Sequence, residues 1–199
     1  LIKKLREMVD GGVIGKVRMV QCNFGSTKPY DVDDRYFNAD LAGGALLDIG
    51  VYAVAFLRYF LDQKPSVIVT SAEFAPTGVD ETSGIILKTP SGMMAVCSLS
   101  LRSKQPKRGI ISGEKGYIEI ENYNRAESAL IIRDGMEPET ISLGSTAEAL
   151  AYEAEGFQKA VERGYDETIC QSSDVNEILS SVRNSWGHVY PFEERYLNR

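Results

Sequence analysis

The feature that most constrains this chain is a change of apolar spacing at Ser66, after which hydrophobic and polar side chains alternate as far as Leu143. Alternation with a period of two is the pattern of strands that bury one face. Short turn signals such as Thr77-Gly78 and Asp134-Gly135 separate the strands and leave no room for helices between them. We therefore predict a largely antiparallel sheet with strands at Ser66–Phe74, Ser83–Lys88, Met93–Leu101, Lys107–Ser112, Gly116–Glu121, Ala129–Arg133 and Glu139–Leu143.

Helical spacing precedes the sheet. Residues 1–9 place their apolar side chains on one face, and Val17–Phe24 is rich in strand-forming residues. Residues 43–61 are too many for a strand and are apolar nearly all round, which indicates a helix buried on most sides. The chain opens at Leu1 inside a helical pattern without a capping residue, so we expect it to continue from a longer protein.

Two further helices are predicted after the sheet, near 147–163 and 174–186. Asp174 is a candidate N-cap for the second helix, with Glu177 as its capping-box partner. The fold class is therefore α+β, an open, mostly antiparallel sheet with helices packed on one face, and we expect a single domain over 1–199.

Charge and cysteine usage exclude several classes of function. The net charge is −6, which argues against nucleic acid or an anionic membrane as a partner, since both need clustered Lys and Arg. The cysteines Cys22, Cys97 and Cys170 are dispersed, which favours reduced thiols in a cytoplasmic protein and no metal site. We find no signal peptide and no apolar run of about 18 residues, so no membrane span is expected.

The helix at 43–61 carries the residues that could take part in catalysis or binding. Asp48 and Tyr52 lie four residues apart, so both project from one side of an otherwise apolar helix. Asp48 could serve only to stabilise the helix N-terminus, where a carboxylate favours the dipole. Alternatively, the pair faces a cleft and binds a substrate. The spacing alone leaves both interpretations open.

Several runs resemble the glucose–fructose oxidoreductase / inositol dehydrogenase family. The central one, GGALLDIGVY at 43–52, resembles the family's active-site helix, Gly-Gly-x-Leu-x-Asp-x-Gly-x-(His/Tyr). The others are MVDGGVIGKVRMVQCNFG (8–25), RYFNADLAGGALLDIG (35–50), SGEKGYIEI (112–120) and WGHVYPFE (186–193). The ordered set covers nearly the whole chain, and a tyrosine at position 52 resembles the dihydrodiol-dehydrogenase-like branch.

The resemblance implies the C-terminal, substrate-binding half of an oxidoreductase that uses NAD or NADP, with a homodimer formed through the open sheet face. The N-terminal Rossmann domain and its lysine are expected outside this chain, since neither Glu-Lys-Pro nor Gly-x-Gly-x-x-Gly after a strand occurs here. A sugar, polyol or cyclic diol would be oxidised by hydride transfer, with Tyr52 as acid/base and Asp48 binding a substrate hydroxyl. Arg35, Phe37 and Tyr30 are the candidate substrate-binding residues.

Two other functions remain open at this point. A sensor or repressor of the same fold would bind dinucleotide or sugar without turnover, and a dimerisation module would need only the sheet. The lone His188 follows the last predicted helix and is expected to be structural or solvated, whereas Tyr152 and Trp186 are expected in the core.

Overall fold

The structure, a computed structural model, describes residues 1–166 and 168–193. The first half contains a helix α1 (Ile2–Asp10), a central strand β1 (Val17–Gly25) and a helix that begins with a π-helical turn (Leu46–Gly50) and continues as α2 (Val51–Phe60). The remaining strands are β2 (Val67–Phe74), β3 (Asp80–Lys88), β4 (Met94–Ser100), β5 (Arg108–Gly113), β6 (Gly116–Glu121), β7 (Ser128–Arg133) and β8 (Glu139–Ser142). Two helices follow, α3 (Ala149–Arg163) and α4 (Ile169–Ser185).

All eight strands join one sheet in the order β2-β3-β4-β1-β5-β6-β7-β8. The strands predicted after Ser66 pair antiparallel wherever they neighbour one another. Strand β1 inserts between β4 and β5, parallel to the first and antiparallel to the second. The predicted fold class, an open and mostly antiparallel α+β sheet, is confirmed.

Helix α2 packs directly on the inner face of the sheet and is covered on its other side by α4. Its buried side chains are Ala53, Val54, Phe56, Leu57 and Phe60. The approach is close at Gly109 of β5, where an added Cβ would lie 2.5 Å from Cζ of Phe56. A glycine is therefore required beneath this ring.

The predicted cap of the last helix is wrong. Helix α4 begins at Ile169, after Thr168, so Asp174 and Glu177 lie within the helix rather than at its start. Asp174 accepts a hydrogen bond from Arg58 Nε at 2.7 Å, and Glu177 pairs with Lys64. These carboxylates tie α4 to α2 and to the segment after it, which a local capping pattern cannot reveal.

The segment Ala39–Phe60 also corrects an expectation about apolar runs. It is 22 residues long and apolar enough to cross a membrane by length and composition. However, 56% of its most apolar window is buried inside the domain, between the sheet and α4. Packing on two sides is sufficient to account for its apolar character.

Candidate functional site

The π-helical turn presents Asp48 at the start of the buried helix. Its Oδ1 accepts a hydrogen bond from Arg35 Nη1 at 2.7 Å. The Asp48 side chain is 18% exposed and that of Arg35 is 61% exposed, so the pair lies at the protein surface with the carboxylate as its inner member. This hydrogen bond raises the pKa of Arg35 and keeps the guanidinium charged. The structure thus joins two residues that the sequence analysis selected separately.

Two glycines bring Arg35 to Asp48. Gly43 N donates to the Asn38 carbonyl and Gly44 N donates to the Tyr36 carbonyl, both at 2.9 Å. A Cβ on Gly43 would lie 2.8 Å from the Arg35 carbonyl oxygen, closer than real Cβ contacts allow. The turn formed by Gly43 and Gly44, called here the diglycine turn, therefore clasps the loop that carries Arg35 against the start of the helix.

Tyr36 is a site residue that the sequence analysis missed. Lys28 Nζ and Arg35 Cζ each lie 4.2 Å from the centroid of its ring. These two cations, Lys28 most strongly, lower the pKa of the Tyr36 phenol. The loop between β1 and the helix therefore places two cations around one phenol beside Asp48, although the same loop also carries four aspartates. In the sequence, only its position next to Arg35 could have suggested that Tyr36 belongs to the site.

Tyr52 lies one turn beyond Asp48 and is 51% exposed, which is unusual for an aromatic residue on this otherwise buried helix. Its ring centroid is 6.1 Å from that of Phe24 at the end of β1, and Lys107 Nζ lies 4.5 Å from the Phe24 ring centroid. A shallow, mainly apolar hollow of about 230 Å³ adjoins Tyr52. The phenol is thus accessible to a ligand and close to apolar surface.

The other two predicted binding residues differ from each other in exposure. Tyr30 is 40% exposed, whereas Phe37 has no exposed surface. Their rings meet edge to face with centroids 5.1 Å apart, and Arg102 Cζ lies within about 6 Å of both centroids. Phe37 packs against the buried side of Tyr30 and presents no surface of its own to a ligand in this structure.

A buried carboxylate also lies behind the site. Asp80, only 1% exposed, accepts a hydrogen bond at Oδ2 from Leu46 N at 2.8 Å. Burial raises the pKa of Asp80 to about 6, although backbone hydrogen bonds from Leu46 and Ala45 oppose the shift. In the sequence Asp80 is an ordinary residue at a strand start, and only the fold shows that it lies at the N-terminus of the helix.

Residues 1–166 and 168–193 contain no group of three or more His, Cys, Asp or Glu side chains that could hold a metal ion. The polar groups of the site are instead a paired carboxylate and guanidinium, two exposed phenols and a lysine. Such groups recognise hydroxyl-rich or anionic small molecules through hydrogen bonds.

Fold and site together define a class: an α+β sheet domain whose buried helix displays an acidic residue and a tyrosine at one end. The family model for the GFO/IDH/MocA C-terminal domain matches residues 2–119. The chain belongs to this family, as the resemblance implied.

The relatives support this assignment. Trans-1,2-dihydrobenzene-1,2-diol dehydrogenase of Mus musculus is 29% identical over 98% of this chain and 61% of its own length. The Homo sapiens enzyme of that name is 27% identical over 96% of this chain and 60% of its own length. The chain therefore spans about three fifths of these relatives, and the predicted similarity to the dihydrodiol-dehydrogenase branch is confirmed.

Solved structures show the same fold. Aldose-aldose oxidoreductase from Caulobacter crescentus, complexed with glycerol, superposes with a TM-score of 0.76 at 21% identity, covering 92% of this chain and 58% of its own. A 3-ketoreductase from Actinomadura kijaniata, complexed with NADP and TDP-benzene, gives a TM-score of 0.75 at 24% identity, covering 92% and 57%. Levoglucosan dehydrogenase, complexed with NADH and levoglucosan, gives 0.78 at 15% identity, covering 90% and 59%.

Proposed function

We propose that this chain is the substrate-binding and catalytic domain of an NAD- or NADP-dependent oxidoreductase that acts on a sugar, polyol or cyclic diol, with Tyr52 as acid/base. The observation that carries the proposal is an exposed phenol one helical turn from a carboxylate held by Arg35. The diol dehydrogenases and the ligand-bound sugar oxidoreductases among its relatives support the choice of substrate class.

Each side chain has a distinct role in this proposal. The Tyr52 hydroxyl exchanges a proton with the substrate hydroxyl, which must lose or gain it as the carbon is oxidised or reduced. Asp48 accepts a hydrogen bond from a neighbouring substrate hydroxyl, while the hydrogen bond from Arg35 orients the carboxylate. Tyr30 and the contact between Lys28 and Tyr36 line the approach to the pair.

The nicotinamide ring supplies the hydride acceptor or donor when a dinucleotide is bound. This chain fits only the reactive end of such a cofactor, because its sheet has one parallel strand pair and no glycine-rich turn after a strand. The proposal therefore places the phosphate and ribose contacts on a separate nucleotide-binding domain. The exposed surface around Tyr52 is where that domain would bring the nicotinamide.

Steady-state kinetics of the full-length protein, with NAD or NADP as the hydride acceptor and a sugar or diol as the substrate, test the proposal. Removing the acid/base oxygen in Tyr52→Phe is expected to lower kcat by about 10²–10⁴-fold while the Tm changes little. Asp48→Asn should raise KM and lower kcat, with dinucleotide affinity unchanged. Tyr165→Phe, the same chemical change at a tyrosine that is 63% exposed and outside the site, is the matched control.

The same experiment separates the enzyme from a sensor. A protein that binds dinucleotide and sugar without turnover would show wild-type ligand affinity in Tyr52→Phe and no detectable kcat in either form. Near-wild-type turnover in Tyr52→Phe would remove the catalytic assignment of Tyr52.

We also propose that the chain forms a homodimer through the sheet face opposite the helices. A continuous row crosses five strands on this face: Val69, Ile86, Val96, Gln21 and Ile110. Val69 is 57% exposed and Ile86 is 40% exposed, so much apolar surface meets solvent in the single chain. A second sheet packed against this row would cover it.

Sedimentation of Ile86→Lys tests the dimer. The wild-type chain should sediment as a dimer, and the lysine variant as a folded monomer, since a charge would be buried in the interface. Val161→Lys on α3, an apolar position that is more exposed than Ile86 and away from the sheet, should remain dimeric. A wild-type chain that stays monomeric at high concentration would contradict the proposal.

We further propose a cytosolic location, supported by unpaired cysteines that include the exposed Cys170.

A further inference from the structure

We propose that Asp80 and Tyr190 are positioning residues that hold the diglycine turn, and through it set the geometry of the Arg35–Asp48 pair. Neither residue reaches the site itself. The inference rests on the proposed function for its kinetic consequence, but its structural part can be tested without it.

Asp80 acts from the sheet side. It is the first residue of β3, yet its carboxylate accepts the Leu46 backbone N–H at the very start of the π-helical turn. A Cβ on Gly44 would lie 2.3 Å from Asp80 Oδ1, so the turn and the carboxylate are in direct contact. Gly44 has φ of 115°, a conformation that favours glycine. The carboxylate therefore fixes the position from which Asp48 projects.

Tyr190 acts from the other end of the chain. Its hydroxyl donates to the Gly43 carbonyl at 2.7 Å, and its side chain is only 1% exposed. The backbone around it is anchored in turn, because Tyr190 N donates to Glu193 and Arg183 makes a bidentate pair with the same carboxylate. Within the described residues, 183–193 thus form a fixed support for the turn.

The two hydrogen bonds act on Gly43 and Leu46, three residues apart, and have different consequences. Gly43 and Gly44 bond the backbone of the loop that carries Arg35, while Leu46 begins the turn that carries Asp48. Displacement of the turn would therefore move Arg35 relative to Asp48. A shift of about 1 Å in a binding constellation is enough to reduce turnover substantially.

Hydrogen exchange of the present chain tests the structural part. In Asp80→Asn the amide nitrogen replaces one acceptor that faces the backbone N–H groups of Leu46 and Ala45, so exchange at 43–48 should accelerate about 10–100-fold. Tyr190→Phe removes one neutral hydrogen bond and should accelerate the same amides about 3–10-fold. Ser83→Ala is the control, since this buried hydroxyl on the same strand has no hydrogen-bond partner among the described residues.

Kinetics of the full-length protein test the functional part. Both variants should raise KM for the diol or sugar more than they lower kcat, with dinucleotide affinity close to that of Ser83→Ala. Unchanged exchange at 43–48 in both variants would overturn the inference, and so would faster exchange with unchanged KM. If the wild type itself turns over no diol or sugar, the proposed function fails, and exchange alone then decides whether the two residues hold the turn.

Discussion

Helices α2 and α3 were both predicted from the sequence, α2 from a long run that is apolar nearly all round and α3 from helical spacing, but they have opposite environments. Five of the ten residues of α2 are buried, whereas none of the fifteen residues of α3 is buried. On α3 an apolar stripe faces solvent, with Leu150 80% exposed, Phe157 73% and Val161 64%. The polar side of the same helix pairs Lys159 with Glu155.

The difference teaches that spacing predicts a helix but not what the helix packs against. The stripe on α3 has the spacing of a core-facing surface, and Tyr152 was accordingly expected in the core. Tyr152 is in fact 50% exposed, so that expectation was wrong. Trp186 at the end of α4 is partly buried against the core, as expected.

The largest effect should come from the core of α2. Phe60 is 1% exposed and packs against Phe56 in a tilted arrangement, with ring centroids 5.2 Å apart. Phe60→Ala is expected to lower the free energy of unfolding by about 3–5 kcal/mol, because it leaves a cavity that the sheet cannot close. Urea unfolding followed by circular dichroism measures this. A loss below about 1 kcal/mol would show that α2 is not the core helix.

A glycine in each helical region sharpens the comparison. Gly44→Ala should cost about 3–4 kcal/mol, because it combines an unfavourable φ with a contact to Asp80 Oδ1. Gly156→Ala in α3 meets nothing within 4 Å and should stabilise the chain by up to about 1 kcal/mol. Opposite signs in paired thermal melts support the assigned environments, and equal signs contradict them.

Acidity should affect the start of the buried helix through Asp80. Its pKa rises from 3.8 to about 6 on folding, so the folded state binds this proton more tightly than the unfolded state. The contribution of Asp80 to the free energy of unfolding is therefore fully present below pH 4. It falls by about 3 kcal/mol as the pH rises from about 4 through 6, and it is constant at higher pH. Unfolding free energies of wild type minus Asp80→Asn, measured from pH 4 to 8, should show this slope. A flat difference would mean that the carboxylate titrates normally.

The smallest effect should come from α3. Phe157→Ala removes a ring that is 73% exposed, and it should change the free energy of unfolding by less than about 0.5 kcal/mol. The measurement is the same urea titration used for Phe60→Ala. A loss comparable to that of Phe60→Ala would place α3 in a packed environment in solution.

Most of the fold could be predicted because its strands are local. Alternating side chains and intervening turns locate β2 to β8, and β6 agrees residue for residue at Gly116–Glu121. The place of β1 could not be predicted. It lies between β4 and β5, and its parallel register, such as Cys22 opposite Cys97, depends on contacts distant in the sequence.

The site was predictable only where its residues share one helix. Asp48 and Tyr52 follow from helical spacing, but their exposures of 18% for the Asp48 side chain and 51% for Tyr52 depend on the sheet and the loop. The Arg35–Asp48 pair, the burial of Phe37 and the position of Asp80 all require the diglycine turn. No local pattern encodes contacts that cross from one strand or loop to another.

The hydrogen bond from Tyr190 to Gly43 spans 147 residues and so has a consequence for synthesis. At about 5–20 residues per second, a ribosome needs roughly 7–30 s to reach Tyr190 after making Gly43. The start of the α2 segment lacks its hydrogen bond to Asp80 until that residue is made. It lacks the hydrogen bond from Tyr190 for the whole of the interval. A nascent chain therefore completes the contacts around Arg35 and Asp48 only after Tyr190 has been made, long after Tyr52.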